Sequence, residues 1–226
     1  MSYKTKKILI NTLTAITTLF IIAAIFLSLM FACFGAIYIK SSVRGFSMYP
    51  TLNESVVSAE QNGDTVFINR FKNINRNDIV VANVEWWPSG AIIKRVVGLP
   101  GDEIQILELE TQYNLIVNGE VLYSKPKEDD AGNSLNNFIH YQKYLTFLSD
   151  FENSECVGVG QNGLPCIKVR ENEYFLVGDN WNNSVDSLTH GAVSKNDIIG
   201  RVDIIVKLKD NYFFSLIGSM LKIMFN

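Results

Sequence analysis

Hydrophobic positions are concentrated near the start of the chain, where they form one unbroken segment. No charged residue occurs from Ile8 to Ile39, and about 20 apolar residues are enough for a helix to cross the hydrocarbon core of a bilayer. A cleaved signal peptide has a shorter apolar core, of about 7–15 residues. The pattern therefore predicts a retained transmembrane helix over residues 8–39.

Basic residues lie on both sides of this apolar segment. Lysines are frequent in residues 1–7, and Lys40 and Arg44 follow on the other side. Because basic residues favour the cytoplasmic side of a membrane, the early lysines predict a cytoplasmic tail over residues 1–7, although Lys40 and Arg44 weaken the asymmetry. Residues 40–210 are then expected outside the cytoplasm.

After Val43 the pattern changes to short runs of β-branched residues separated by Gly, Asn, Asp and Pro. Runs of this kind, bounded by turn residues, are typical of strands. The dipeptide Asn118-Gly119 is a signal for a type I′ hairpin turn. The pattern predicts a mainly β domain over residues 40–210, preceded by the N-terminal helix.

Two parts of the chain follow this pattern less well. Residues 105–172 alternate weakly and include an aromatic-rich stretch, Phe138–Phe151, which indicates an insertion or a second lobe. Residues 211–226 are apolar but too short for a comfortable membrane crossing. Two alternatives stay open for this tail: a helix packed on the domain, or a helix that lies in the membrane interface.

Composition and charge exclude several classes of protein. The formal net charge of -3 argues against an electrostatic nucleic-acid binder, which usually carries a basic patch. Hydrophobic residues make up 47% and charged residues 19% of the chain, which excludes intrinsic disorder. Cys156 and Cys166 lie around a Gly-rich turn in the part expected outside the cytoplasm, so a disulfide between them is a further expectation.

Histidine-based catalysis has little support in the sequence. The chain has two histidines, His140 and His190, and no G-x-S-x-G motif precedes either of them. A single histidine in a β domain is more often a surface or structural residue than a catalytic one. The sequence also lacks phosphate-binding and dinucleotide-binding motifs, so a nucleotide enzyme has no support.

Three motifs without histidine remain as candidates for chemistry. They are Ser47-Met48-Tyr49-Pro50-Thr51-Leu52, Lys94-Arg95-Val96-Val97-Gly98-Leu99-Pro100-Gly101-Asp102 and Gly178-Asp179-Asn180-Trp181-Asn182-Asn183-Ser184-Val185-Asp186-Ser187. A serine hydroxyl needs a base to act as a nucleophile, and a lysine can serve only when its amine is neutral. By strand alternation Ile92, Lys94 and Val96 share one face, an apolar setting that lowers the pKa of an amine.

Taken together and in this order, the three motifs resemble those of bacterial type I signal peptidases, membrane-bound serine proteases with a Ser/Lys dyad. The resemblance covers residues 42–104 and 173–206 in addition to the apolar segment. It implies a signal-peptidase-like β-rich catalytic domain with Ser47 as nucleophile and Lys94 as general base. The backbone N–H of Ser47 is the expected oxyanion donor. Many members have a second hydroxyl donor where this chain has Gly45, so a second donor is left open.

The resemblance also implies supporting roles. Ser184 matches the serine that hydrogen-bonds the lysine amine, and Asp186 matches the acidic residue that supports the site. Trp181 and Leu188 stand where arginines are frequent in the family. Their presence removes a salt bridge around Asp179 or Asp186 and suggests a divergent member. No metal or organic cofactor is implied.

A substrate peptide is expected to bind as an added strand next to the serine. The expected walls of its site are Val43, Gly45 and Phe46 on one side and Ile92 and Ile93 on the other. By the resemblance, the substrate has small residues at positions −1 and −3 before the cleaved bond.

The predicted function is cleavage of N-terminal signal peptides from translocated preproteins at the outer face of a bacterial cytoplasmic membrane. The expected partners are preprotein signal peptides and the lipid bilayer, with the translocation machinery as a further candidate and nucleic acid excluded. A dedicated peptidase that matures a pilin or a secretion-system component is one alternative. A non-catalytic anchored binding module is another, although the presence of both Ser47 and Lys94 argues against it.

Overall fold

A computed structural model describes residues 3–88, 90–129, 137–152 and 154–225 of the 226-residue chain. The chain divides into two compact units, residues 1–39 and residues 40–226.

The first unit consists of one long helix, α1, over Tyr3–Ile37. Threonines do not interrupt it, because their hydroxyls donate to carbonyls of the preceding turn, as Thr12 Oγ1 does to Ile8 O at 2.9 Å. Among the residues that the structure describes, α1 is the one helix long and apolar enough to cross a membrane. The prediction of an N-terminal apolar helix is confirmed, although the helix ends at Ile37 rather than Ile39.

From Tyr38 onward the described residues form strands, three further α-helices and a short 3-10 helix over Lys195–Asp197. The strands are β1 (Tyr38–Ser42), β2 (Thr65–Asn69), β3 (Ile79–Asn83), β4 (Ala91–Gly98), β5 (Glu103–Glu108), β6 (Gln112–Val117), β7 (Glu120–Pro126), β8 (Val157–Val159), β9 (Pro165–Lys168), β10 (Glu173–Val177), β11 (Val193–Ser194) and β12 (Ile198–Val206). The helices are α2 (Phe138–Asp150), α3 (Ser187–His190) and α4 (Tyr212–Phe225).

The strands form two antiparallel sheets, which confirms the prediction of a mainly β fold. The first sheet has the order β1-β2-β12-β3-β4-β10-β11, and the second has the order β7-β6-β5-β9-β8. The hairpin predicted at Asn118-Gly119 joins β6 to β7, with Val117 opposite Glu120. Both turn residues have positive φ, 53° and 84°, as a type I′ turn requires.

Residues 105–172 are more regular than their sequence pattern indicated, since they contain most of the second sheet and α2. The aromatic stretch Phe138–Phe151 is helical, not extended. Tyr144 and Phe147 are buried and lie one turn apart on α2, so they present one apolar face to the core. The spacing of these two aromatic residues is the sequence signal for a helix, and the sequence analysis did not use it.

One apolar cluster joins the two sheets and α2. Val97 of β4 and Phe175 of β10 belong to the first sheet, and they pack with Ile104 and Leu115 of the second sheet and with Phe147 of α2. Because α2 shares this core with β10, the packing places its N-terminal turns beside the segment that follows β10.

The predicted disulfide is absent from the structure, because Cys156 and Cys166 are free thiols. In the β8–β9 pair Gly158 lies opposite Cys166, so Cys156 is a diagonal neighbour of Cys166. Diagonal positions across a strand pair are about 7–8 Å apart, whereas a disulfide needs Cα atoms within about 4.4–6.8 Å. Cys156 Sγ instead hydrogen-bonds Ser154 Oγ at 2.8 Å.

The C-terminal helix α4 touches β12 but keeps much of its apolar surface exposed. Phe213 is 63% exposed and Phe214 is 71% exposed. Lys40 Nζ lies 4.6 Å from the centre of the Tyr212 ring at the start of the helix. The tail is therefore helical and in contact with the domain, and its exposed aromatic side chains are also compatible with an interfacial position.

The close approach of the two sheets at Gly98 gives a stability prediction. A Cβ at this position would lie 2.6 Å from Ile104 Cδ1 and 2.8 Å from Phe175 Cβ, both of them buried in the shared core. Gly98→Ala is therefore expected to lower the free energy of unfolding by about 1–3 kcal/mol through overpacking. Gly218→Ala is the control, because a Cβ there meets nothing within 4 Å. Thermal unfolding of the detergent-solubilised protein measures the difference, and equal melting temperatures for the two variants would contradict it.

Candidate active site

Ser47 lies in the turn-rich segment that follows β1. Met48 and Leu52, which come after it, are buried in the core beside the first sheet and anchor the segment. At the start of the segment, Val43 N donates to Asp64 O at 2.9 Å. The nucleophile candidate is thus held on a short loop that is fastened at both ends.

A reciprocal pair of hydrogen bonds fixes this loop. Asn53 N donates to Asp64 Oδ2, and Asp64 N donates to Asn53 Oδ1, each at 2.9 Å. Asn53 Nδ2 also donates to Gly45 O at 2.8 Å, and Lys207 Nζ lies 3.2 Å from Asp64 Oδ2. These buried side chains hold the backbone on both sides of Ser47, a role that the sequence analysis missed.

Lys94 lies in the middle of β4, and Ile92 and Val96 share its face, as strand alternation predicts. The residue is only 4% exposed. Its Nζ lies 2.8 Å from Ser47 Oγ and 3.1 Å from Ile93 O. The structure therefore brings the predicted nucleophile and the predicted base into direct hydrogen-bond contact.

Burial is the main cause of a lowered pKa of the Lys94 amine, which falls to about 8. The carboxylate of Asp186 opposes this shift, the charge of Lys143 adds to it, and the carboxylate of Asp179 opposes it more weakly. An ordinary lysine, with a pKa of about 10.4, is almost wholly protonated at neutral pH. With a pKa of about 8, an appreciable fraction of the Lys94 amine is neutral and able to accept a proton from a hydroxyl.

The hydroxyl of Ser184 does not follow the expectation that it hydrogen-bonds the lysine amine. Ser184 Oγ donates to Asp186 Oδ2 at 2.6 Å, because a buried carboxylate is the strongest acceptor within its reach. In the described part of the chain, the hydrogen-bond partners of the Lys94 amine are Ser47 Oγ and Ile93 O. The Ser184 hydroxyl is therefore a partner of Asp186 rather than of Lys94.

Asp186 is fully buried and is surrounded by donors. Gly178 N donates to its Oδ2 at 3.0 Å, Leu188 N donates to its Oδ1 at 3.2 Å, and His140 Nε2 lies 3.2 Å from Oδ2. Burial by itself would raise the pKa of this carboxyl. The hydrogen bond and charge of His140, with the hydrogen bonds of Ser184 and Gly178, overcome that effect and lower the pKa to about 2.

Asp179 and Asp186, one of which was expected to lack an arginine partner from position 181 or 188, both have basic neighbours from other elements. Arg95 points to the opposite face of β4 from Lys94, and its Nε and Nη2 donate to Asp179 at 2.7 Å and 2.6 Å. His140, which the sequence analysis set aside as structural, contacts Asp186 from α2. Asp179 is therefore ion-paired with Arg95. Asp186 has His140 as its neighbour, and the expected absence of an arginine partner from position 181 or 188 stays a prediction.

The segment after β10 packs directly on the backbone of the nucleophile. Asn180 N donates to Ser47 O at 3.0 Å, and Asn180 Nδ2 donates to Phe46 O at 2.9 Å. A Cβ at Gly178 would lie 2.5 Å from Ser47 O, so only glycine permits this approach. The segment 178–187 thus holds the loop that carries Ser47 in place.

An open cleft of about 500 Å³ lies beside the dyad. All of the predicted wall residues line it, namely Val43, Gly45, Phe46, Ile92 and Ile93. Further lining residues, which the sequence analysis did not name, include Ser41, Ser42, Trp87, Asn183 and Val185. Over the residues described, no group of three His, Cys, Asp or Glu side chains is placed to hold a metal ion.

Comparison with known proteins places the chain in a peptidase family. The family model described as signal peptidase, peptidase S26, matches residues 10–207, which is most of the chain. The chain therefore belongs to the signal peptidase family S26.

The chain is similar to one solved structure and to two individual relatives. A solved structure of a signal peptidase I from Enterococcus faecalis V583 is similar at 22% identity and a TM-score of 0.32, over 57% of this chain and 97% of that one. Signal peptidase I P from Bacillus subtilis subsp. natto is 34% identical over 166 residues, which are 70% of this chain and 71% of that protein. Signal peptidase I V from Bacillus subtilis (strain 168) is 30% identical over 169 residues, or 73% and 83% of the two chains. With the family model, the Bacillus relatives identify a serine endopeptidase of the signal peptidase I type.

The lowered pKa of Lys94 predicts an unusually reactive amine. In the full-length protein in detergent, acetylation of Lys94 by a small anhydride should level off just above pH 8, because the amine is then mostly neutral. A peptide with an ordinary lysine, whose pKa is about 10.4, is the reference and should still gain reactivity at higher pH. Mass spectrometry of the labelled peptides gives both profiles. A Lys94 profile that keeps rising in parallel with the reference would contradict the prediction.

Proposed function

We propose that the protein cleaves N-terminal signal peptides from translocated preproteins, with Ser47 as nucleophile and Lys94 as general base. The observation that carries this proposal is the 2.8 Å contact between Ser47 Oγ and a buried Lys94 amine, at the side of an apolar cleft. The relatives cited above are named signal peptidase I, so the comparisons do not favour a dedicated maturation enzyme or a non-catalytic module.

Proton transfer within the dyad starts the proposed reaction. The neutral Lys94 amine takes the proton of Ser47 Oγ while Oγ attacks the carbonyl carbon of the scissile peptide bond. The C–O bond forms and the carbonyl oxygen becomes an oxyanion, which the backbone N–H of Ser47 would bind. The ammonium of Lys94 then gives its proton to the leaving amine as the C–N bond breaks.

Water completes the reaction after the new N-terminus has left. Lys94 is neutral again and removes a proton from a water molecule, whose oxygen attacks the ester carbonyl on Ser47. When the tetrahedral intermediate collapses, the C–O bond to Ser47 breaks and its Oγ recovers the proton from Lys94. The hydrogen bond from Asn180 N to Ser47 O supports both steps, because it holds Ser47 at the same distance from the Lys94 amine.

The cleft fits an extended peptide with small side chains near the cleaved bond. Its walls come from the loop after β1 and from β4, and Val43, Phe46, Ile92 and Ile93 make them apolar. A substrate added as a strand between these walls would gain backbone hydrogen bonds, while the apolar pockets would select its side chains.

We also propose a membrane location that follows from the length of α1. Residues 8–39 form the anchor in a bacterial cytoplasmic membrane, residues 1–7 are cytoplasmic, and residues 40–210 form the extracytoplasmic peptidase domain. The exposed aromatic residues of α4 suit contact of the tail, residues 211–226, with a bilayer surface. This arrangement presents the cleft on the side where translocated preproteins emerge.

Loss of either dyad member should abolish cleavage. Ser47→Ala and Lys94→Ala are each expected to reduce the cleavage of a model preprotein to background, because neither the nucleophile nor the base has a substitute. The double variant should be barely worse than either single variant, since the two groups act as a unit. Lys195→Ala, which removes an exposed lysine outside the cleft, is the matched control and should keep wild-type activity. Substantial cleavage by Lys94→Ala in detergent would refute the lysine base.

The proposed topology predicts one-sided access of protease to the domain. Protease added outside intact spheroplasts should digest the domain after Lys40 and leave residues 1–7 protected, because the bilayer shields the cytoplasmic tail. Epitope tags at the two ends of the chain, read by immunoblotting, report the two sides. Digestion of the domain only after the membrane is opened would place it in the cytoplasm and rule out the proposed function.

A further inference from the structure

Helix α2 sends two side chains towards the segment after β10, residues 178–187, which is called the 178–187 loop below. His140 Nδ1 lies 2.7 Å from Trp181 O, and His140 Nε2 lies 3.2 Å from Asp186 Oδ2. One turn further along α2, Lys143 Nζ donates to Ser184 O. The region 105–172, to which the sequence analysis assigned no role, therefore contacts the catalytic neighbourhood through these two residues.

The surroundings of His140 define the protons on its ring. A carbonyl oxygen only accepts hydrogen bonds, so Nδ1 must carry a proton towards Trp181 O. Nε2 faces the carboxylate of Asp186, which also only accepts when it is ionised. Both His140 and Asp186 are 0% exposed, so neither side chain reaches the solvent-accessible surface. Each ring nitrogen of His140 thus faces an acceptor, and a ring that donates from both nitrogens satisfies both contacts.

The Trp181 side chain completes the enclosure of this ring. The two rings are stacked, with centroids 5.1 Å apart and an angle of 8° between their planes, and the aromatic face favours a neighbouring cation. Lys125 Nζ lies 5.9 Å from the centre of the Trp181 ring. Trp181, which replaces an arginine frequent in the family, thus packs on the histidine that contacts Asp186.

Charged groups around Lys94 determine how tightly its amine holds a proton. Asp186 from the 178–187 loop and Asp179 from the same loop both favour the protonated amine, while Lys143 from α2 favours the neutral amine. Asp186 would act on the amine with its full negative charge if nothing balanced it. A positive charge on His140 would offset the charge of Asp186 and would favour the neutral, basic form of Lys94.

We propose that His140 is a positioning residue of this peptidase: its charged ring, held between Trp181 and Asp186, balances the Asp186 carboxylate and fixes the 178–187 loop against the Ser47–Lys94 pair. His140 does not touch the substrate or the reacting atoms, and it acts on Lys94 through Asp186. The proposal rests on the proposed function only in assigning the role of base to Lys94.

The pH profile of His140→Gln tests the charge balance. Glutamine can still donate a hydrogen bond to Asp186 but carries no charge, so the Lys94 amine should hold its proton more tightly. The rising limb of kcat/KM for a model preprotein should move to higher pH by on the order of one unit, and activity should recover above it. His190→Gln is the matched control, since His190 is exposed and stacks on Trp86. A folded His140→Gln protein with its limb at the wild-type position would overturn the proposal, because a histidine needed only for packing would lower activity equally at every pH.

A second measurement reads the protonation of the His140 ring directly. It leaves His140 intact and therefore tests the proposal even if the His140→Gln protein fails to fold. The chain has two histidines, so the His190→Gln protein labelled with 15N-histidine gives the ring signals of His140 alone. At the pH of the cleavage assay, the proposal expects both ring nitrogens to show the shifts of protonated nitrogen. Signals of a neutral ring, with one unprotonated nitrogen, would overturn the proposal.

Failure of the proposed function can be distinguished from failure of this inference. If wild-type protein does not cleave preproteins, acetylation of Lys94 as a function of pH reads the same shift without turnover. The Lys94 profile should then move to higher pH in His140→Gln and stay in place in His190→Gln. An unmoved profile in both variants would refute the role of His140 whatever the substrate of the enzyme.

Discussion

The buried amine of Lys94 sets the requirement that the rest of the domain meets. An amine acts as a base near neutral pH only if it is kept from water, yet it must also reach the nucleophile. Alternation along β4 satisfies both needs, because Lys94 faces the site while its neighbour Arg95 faces away and binds Asp179 in a bidentate pair. That hydrogen bonding raises the pKa of Arg95. Strand β4 therefore carries two basic residues with opposite shifts. Arg95 is kept charged by Asp179, and the pKa of Lys94 is lowered by burial.

Ser47, the proposed nucleophile, is held in place by polar contacts rather than by regular secondary structure. The Asn53–Asp64 pair fixes the loop from one side, and Asn180 fixes the backbone of Phe46 and Ser47 from the other. Within the described ranges, every buried side-chain nitrogen or oxygen has a hydrogen-bond partner. A fully satisfied polar network is rigid, so a loop can hold Ser47 at a hydrogen-bond distance from Lys94.

The sequence predicted the mainly β fold and paired Ser47 with Lys94, which lie in contact, but it did not predict the side chains that support this pair. The hairpin at Asn118-Gly119 and the buried face of Lys94 depend on neighbours along the chain, and such local features are readable from one sequence. The contact of His140 with Asp186 joins residues separated by 46 positions, and it exists only because the core packs α2 beside the 178–187 loop. The expected disulfide was wrong for a related reason, since the register of β8 and β9, not the spacing of the cysteines, decides which side chains meet.

Helix α2 packs on the second sheet and also contacts the 178–187 loop, which carries Asp186 near Lys94. Tyr144 and Phe147 are buried in the core, and Tyr144 Oη donates to Pro165 O of β9 at 2.7 Å, so the helix is fixed to the second sheet. His140 and Lys143 lie on the same helix and reach the 178–187 loop. Because a short helix moves as one body, the position of the second sheet determines how closely these groups approach Asp186 and Ser184. Among the described residues of 105–172, none lines the cleft beside Ser47 and Lys94, so the role proposed for His140 acts on the proposed base through charge and position.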